Sequence, residues 1–434
     1  FLGHPWIGVL LSVSAMTATI LWALQAWLPS RWALLGGTLV LLRLSVFSYW
    51  INSYWGGAVA ATGGALVLGA LPRIMRSYRR RDALILGLGA SILANSRPLE
   101  GLVFCLPVVA VLVTWLCSRR GPSGQTAIRQ IVVPLCAMML LCASFIGYYN
   151  FHLTGHPLLF PHDLNLRSHL AVPQLAWQKT VAPFHFQNPQ FEAYYNHWWP
   201  AKAWPKGRPD SIMHITRAFG LDAWIFIIFF AYPELLVTAL AVPWVLRDRR
   251  MRFPLVQLIF CFAGFLLVAV FGAHYAAALT ATTFALMVQG LRHLRRWHFR
   301  KRLVGVSMSR AAVVAALLLW PLYPFLSLPD SSMEYRQRIA TQLAAMPGSD
   351  LIVVRYSSHH DWHQEWVYNA ADIDHSKIVW AREIPGVPLQ PLLNYFPNRR
   401  VWVLEPDENP PKLLPYLPQS ATDSSSREYR AGTP

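Results

Sequence analysis

Charge is what this sequence has least of. Asp, Glu, Lys and Arg together make up 14% of its 434 residues, where a soluble globular chain carries about a quarter. That shortage excludes the two or three soluble domains that the length alone would suggest. Cysteine is also scarce: Cys105, Cys117, Cys136, Cys142 and Cys261 all fall in or at the ends of apolar segments, and no CxxC pair occurs. A disulfide framework and a zinc site of the cysteine type therefore lose their basis. P-loop, GxGxxG, GxSxG and HExxH motifs are missing as well, which removes the usual support for ATP-driven transport and for serine or zinc hydrolysis. Neither an internal repeat nor a signal-peptide pattern is found. The first residue is Phe1 rather than Met, and the expectation is a fragment or a processed product.

What is abundant is apolar surface. Apolar residues reach 54%, mean hydropathy is +0.33, and there are 19 Trp, a residue whose indole favours the membrane–water interface. Apolar stretches lie near 6–28, 32–50, 56–72, 83–96, 99–117, 130–149, 222–246, 254–273, 276–291 and 303–327. Several approach the roughly 20 residues that cross about 30 Å of hydrocarbon. The expected fold class is a polytopic α-helical membrane protein of about ten transmembrane helices with a small C-terminal α/β soluble domain.

The net charge of +17 raises the question of nucleic acid. The basic residues form no stripe with interleaved aromatics; they punctuate the apolar runs, so nucleic acid is not an expected partner. Half of the 38 Lys and Arg sit in alternate connections: at Arg31, at 73–81, at 119–129, at 247–252 and at 292–302. The opposite connections, near 51–55 and 274–275, carry none, and the one near 97–98 carries only Arg97. The excess of positive charge marks the cytoplasmic side, so residue 1 and the C-terminal tail are expected outside. The division expected is a helical membrane domain at 1–328 with an outside interfacial loop at about 150–221, an outside α/β domain at 329–418, and a disordered tail at 419–434. Within the α/β domain, helices are expected at Met333–Met346 and Leu389–Phe396, and strands at Leu351–Tyr356, Lys377–Ala381 and Arg400–Leu404.

Ionisable groups in a membrane are costly, so each calls for a partner or a role. In Asn95-Ser96-Arg97-Pro98-Leu99-Glu100-Gly101 the preceding run spans only about 14 apolar residues, roughly 21 Å of helix. The turn should therefore lie below the outer headgroups. There Arg97 either presents its donor fork to a phosphate or forms an ion pair with Glu100 that caps two helices. Arg43 either faces an internal cavity and an anionic ligand or snorkels to the surface. Glu234 is either functional or a protonated group bonded to carbonyls freed by Pro233. His274 and Tyr275, alone at an outer junction, are either a proton carrier or phosphate donor with its neighbour, or an interfacial anchor. In the tail, His359-His360-Asp361-Trp362-His363-Gln364-Glu365 could suit a metal, but its spacing fits no strong motif and a solvated loop is the simpler reading.

Four stretches together carry a resemblance: Phe47-Ser48-Tyr49-Trp50-Ile51-Asn52-Ser53-Tyr54-Trp55-Gly56-Gly57, Asn95 to Gly101, Asn150 to Pro161, and His274-Tyr275 leading into the next apolar run. Their order, the basic inside loops and the outside C-terminal domain resemble the GT-C superfold of polytopic glycosyltransferases. That group includes the protein O-mannosyltransferases and aminoarabinose transferases and, more closely, bacterial membrane proteins of the GT39-like or RgtA/B/C/D-like type. The resemblance implies sugar transfer from a polyprenyl-phosphate or diphosphate donor to an acceptor outside the cytoplasmic (inner) membrane. It implies Arg97, His274 and Tyr275 at the donor phosphate, with Arg43, Glu100 and Glu234 in support. The family's acidic residue of the first outside loop, a base or divalent-metal ligand, has no counterpart here, since no Asp or Glu precedes Asp82. The catalytic base and the metal requirement therefore stay open, as do the sugar and the acceptor. Two other readings use the same charges without group transfer: a transporter or flippase for lipid-linked or small anionic substrates, and a membrane scaffold whose outer domain recruits partners.

Overall fold

A computed structural model describes residues 6–51, 53–55, 57–170, 175, 182–203, 212–231, 234–268, 271–322, 331–361 and 364–416. The chain divides into two compact units, Phe1–Phe184 with Tyr195–Ser327, and His185–Tyr194 with Leu328–Pro434.

The first unit is helical, as its apolar runs require. In chain order it contains α1 (Trp6–Trp27), α2 (Ser30–Val40, continued as a π-helix to Val46), α3 (Gly57–Ser77), α4 (Arg80–Ser96), α5 (Pro98–Leu116) and α6 (Gly124–Thr154). After these come α7 (Pro161–His169), α8 (Ile212–Phe230), α9 (Arg252–Phe265), α10 (Thr280–Leu294) and α11 (Val304–Leu319). Among the described residues five helices are long and apolar enough to cross a membrane: α1, α3, α5, α6 and α11 with its extension to Leu322. A sixth crossing results if Phe219–Phe230 and Leu235–Arg247, bent by 119°, count as one. The molecule is thus a helical membrane protein. The remaining runs of the expected ten are helical but short: α4, with 17 residues, holds its whole apolar run, and α9, with 14, ends before its run does.

Small residues let these helices approach closely, as membrane helices do where no hydrophobic force drives them together. Gly63 of α3 and Gly89 of α4 face each other: a Cβ on Gly63 would stand 2.9 Å from the Gly89 carbonyl, and one on Gly89 would stand 2.7 Å from that of Gly63. Gly64 abuts the 3₁₀ segment Ala273–Leu279, where a Cβ would meet the Ala278 carbonyl oxygen at 2.0 Å. Gly69 accommodates the ring of Trp22.

Contacts at the helix ends sort the connections into two groups. At one end Arg76 donates to the Ala26 carbonyl, Tyr78 stacks on Trp115, Trp27 stacks on Phe253, and the Arg295 guanidinium lies over Trp32. Asp248 there accepts from Gln289 and pairs with His293 at 3.0 Å. These are the Arg-rich connections. The basic-poor connections gather separately, around Tyr49, Trp55, Arg97 and His274.

The second unit carries four strands: β1 (Asp350–Val354), β2 (Ile378–Arg382), β3 (Arg400–Glu405) and β4 (Lys412–Pro415), in the order β2-β1-β3-β4. β1 runs parallel to β2 and β3, and β4 is antiparallel to β3. Alternate residues point to opposite faces. Ile352, Val354, Trp380 and Leu404 therefore pack with Ile339 and Leu343 of α12 (Ser331–Ala345). Leu351, Val353 and Val379 pack with Leu392, Leu393 and Phe396, at and just beyond α13 (Gln390–Tyr395). The fully buried Asp350 accepts both branches of the Arg400 fork at 2.9 Å and the Trp402 indole N–H at 2.9 Å. A buried carboxylate needs such full pairing. The five expected elements are present within a residue or two at each end. β4 was not anticipated: a four-residue edge strand ending in Pro415 carries little periodic signal. His185–Tyr194, expected within the interfacial loop of the membrane domain, instead groups with this unit. The expected tail at 419–434 lies outside the described residues.

Candidate functional site

The candidate site lies where the basic-poor connections of the helical unit meet. Pro98 decides its geometry. A residue before proline is pushed out of the helical region, and Arg97 accordingly has φ −145° and ψ 74°, closing α4 and standing as the N-cap of α5. Its backbone N–H still donates to Leu93 at 2.8 Å, and its carbonyl accepts from Gly101 at 2.7 Å, so the turn is held from both sides. From there the Arg97 side chain donates through Nη2 to the Trp55 carbonyl at 3.1 Å, and its guanidinium lies 4.6 Å from the centre of the Tyr275 ring. Cation–π attraction of this kind contributes on the order of 0.5–2 kcal/mol.

His274 comes from the opposite wall. Gly272 precedes it, and a Cβ there would stand 2.9 Å from His274 Cε1, so the ring occupies space only glycine leaves. The His274 ring packs edge-on against Trp55 at 4.9 Å and Tyr275 at 4.6 Å. Its Nδ1 and the Tyr49 hydroxyl are 3.1 Å apart. Nε2 has no partner among the described residues. Tyr275 and Trp55 thus stand between Arg97 and His274 and touch both. Trp50, 2% exposed, fixes the Tyr49 turn by filling the space above Gly57, where a Cβ would meet its indole at 2.4 Å.

The other expected site residues fall differently. Glu100 is 9% exposed and makes no ion pair with Arg97 among the described residues, though Arg97 and the His162 imidazole act on it electrostatically. The mutual Arg97–Glu100 cap is therefore replaced by the contacts to Trp55 and Tyr275. The Arg43 guanidinium lies 5.7 Å from the centre of the Trp320 ring. It donates to the Phe229 carbonyl at 2.9 Å and the Ile228 carbonyl at 2.8 Å, the last carbonyls of α8, which lack helical partners, and a cation there also complements the helix dipole. The Glu234 side chain and Pro233 lie outside the described residues. Tyr49 and Trp55 are the members missed as site residues. Their signal was the aromatic density of the run from Phe47 to Trp55, which by itself reads as an interfacial belt.

In the second unit the His-rich loop is packed rather than solvated at His360. That ring stacks on Tyr356 at 3.9 Å, and its Nδ1 lies 2.6 Å from Asp407. Trp362 and His363 lie outside the described residues. Among the described residues no three His, Cys, Asp or Glu side chains converge as metal ligands.

No protein family, curated protein or solved structure matches this chain.

Proposed function

We propose that this chain is a glycosyltransferase of the GT-C type. It takes a sugar from a polyprenyl-phosphate-type lipid and passes it to an acceptor on the outer side of a bacterial cytoplasmic membrane, with about ten crossings when the shorter helices are included. The observation that carries this reading is the meeting of Arg97, His274, Tyr275 and Tyr49 around Trp55, on three connections poor in basic residues. α4 supports it: its 17 residues give roughly 26 Å of helix, short of about 30 Å of hydrocarbon, so in this reading the Arg97 turn lies below the outer headgroups, where a cation calls for an anionic partner.

In this reading the acceptor's nucleophile forms a bond to the anomeric carbon as the bond from that carbon to the lipid phosphate breaks. The electron pair goes to the phosphate oxygen. Arg97 neutralises that developing charge, and His274 Nε2 donates to it while Tyr49 holds the ring. Preorganised donors at a leaving group contribute about 10²–10³ in rate. The group that removes the acceptor proton is unassigned. The test is a lipid-linked sugar assay on membranes expressing Arg97→Ala at wild-type level: transfer should fall by at least about 10²-fold, and wild-type turnover would remove the assignment.

A transporter or flippase of lipid-linked or small anionic substrates is the second reading. The 119° break between Phe219–Phe230 and Leu235–Arg247 favours it, since interrupted helices line transporter sites. Substrate movement across sealed vesicles without covalent transfer would select it.

A further inference from the structure

We infer that the sheet-bearing unit contains a binding cleft for a neutral saccharide, formed where His185–Tyr194 packs against the carboxyl end of β2. The cleft is open to solvent, has a volume of about 470 Å³ and is lined by Phe186, Asn188, Phe191, Glu365 and Arg382 among others. That volume is in the range of small-molecule sites. It also lies at the carboxyl end of a parallel strand, where open α/β sheets take their ligands.

The chemistry of the walls narrows the ligand. Arg382 is locked: Nη1 donates to Gln190 at 3.0 Å, Nη2 donates to the Glu365 carboxylate, and the guanidinium sits between the Phe191 ring at 5.0 Å and the Tyr356 ring at 4.7 Å. Glu365 is locked as well, its Oε1 accepting from the Tyr356 hydroxyl and from the Val367 N–H at 2.7 Å. The two charges cancel each other, so neither an anion nor a cation finds an uncompensated partner here. Hydrogen-bonding capacity nevertheless remains on both. Among the described residues only two of the five guanidinium N–H groups are used, and Glu365 Oε2 accepts from Arg382 alone. Fixed donors beside fixed acceptors match vicinal hydroxyls, each of which both gives and takes a hydrogen bond. Phe186 and Phe191, the latter 42% exposed, supply apolar faces for the C–H side of a pyranose. Polar groups that fix orientation over aromatic walls are what a sugar requires.

This inference stands on the second unit alone and does not depend on the proposed transfer chemistry. The test is saturation-transfer NMR on the full chain in lipid nanodiscs, with maltose and methyl mannoside as neutral probes and glucuronate and inorganic phosphate as anionic ones. A neutral probe should receive saturation, and neither anion should displace it. Phe191→Ala should weaken binding about 3- to 10-fold, the value of one aromatic contact. Arg97→Ala should leave it unchanged, which separates this cleft from the transfer site. If Phe191→Ala does not fold, Gln187→Ala on the exposed rim of the cleft should weaken binding several-fold instead. Silence from both neutral probes, displacement by glucuronate or phosphate, binding lost in Arg97→Ala, or unchanged affinity in a folded cleft variant would each overturn the inference.

Discussion

Gly64→Ala probes the interlock on which the position of His274 depends. Its added Cβ would stand 2.0 Å from the Ala278 carbonyl oxygen and 2.7 Å from the carbonyl carbon. Ordinary contact needs more than 3.4 Å, so α3 and the Ala273–Leu279 segment must part by more than an ångström. The obstructing atoms are main chain and cannot rotate away. Overpacking costs about 1–3 kcal/mol; with rigid neighbours the upper end applies, and the helix-propensity gain of Ala over Gly returns about 1 kcal/mol. A net loss of about 2 kcal/mol follows. Gly8→Ala is the control, because a Cβ there meets nothing within 4 Å and only the propensity gain remains. Cys117 and Cys136 are exposed and react in the folded state, whereas Cys142 and Cys261 are buried and free, so the rise of a thiol-reactive fluorophore above the folded baseline reports unfolding of the detergent-purified protein. Gly64→Ala should melt several degrees below wild type and Gly8→Ala at or above it. A Gly64→Ala protein that melts with wild type would refute the packing argument and, with it, the claim that α3 holds the His274 wall in place.

Gly272→Ala should displace the His274 ring from Tyr49 and reduce the proposed sugar transfer about as far as His274→Gln, with little change in melting; parallel assays of the two variants check this. Arg43→Met removes the donors to the Ile228 and Phe229 carbonyls, and hydrogen bonds from a charged group are worth about 1.5–3 kcal/mol each. Its melting point should fall well below wild type, and an unchanged melt would show that Arg43 is not the cap of α8. Burial, and after it the hydrogen bond to Glu365, hold the Tyr356 hydroxyl above its ordinary value of 10.0. A group raised in the folded state stabilises fully below its unfolded value and loses that contribution as pH climbs toward the folded one. The melting advantage of wild type over Tyr356→Phe should therefore be full at neutral pH and shrink as pH rises past about 10.

How much of this could be read from the residues differs from element to element. The apolar runs and the alternation of Arg-rich and Arg-poor connections located the helices and their two groups of ends, because both follow from solvation alone. The Arg97 turn was legible because Pro98 and the short run before it constrain the backbone locally. The tail's helices and three parallel strands were legible from periodicity and β-branched runs such as Leu351 to Val354. What was not legible depends on distant pairing. Arg43 finds its acceptors in α8, some 185 residues away. Tyr49 and Trp55 gain meaning only once Gly57 and the Ala273–Leu279 segment fold against them. His185–Tyr194 joins the sheet unit through Arg382, a contact no local pattern announces.

The most direct test of the central claim is lipid retention. Native mass spectrometry of the purified protein with undecaprenyl phosphate should show a one-to-one adduct that survives detergent washing in wild type and is lost in both Arg97→Ala and His274→Gln. Equal retention in all three would mean that no lipid phosphate meets these side chains, and the assignment of the site would fall.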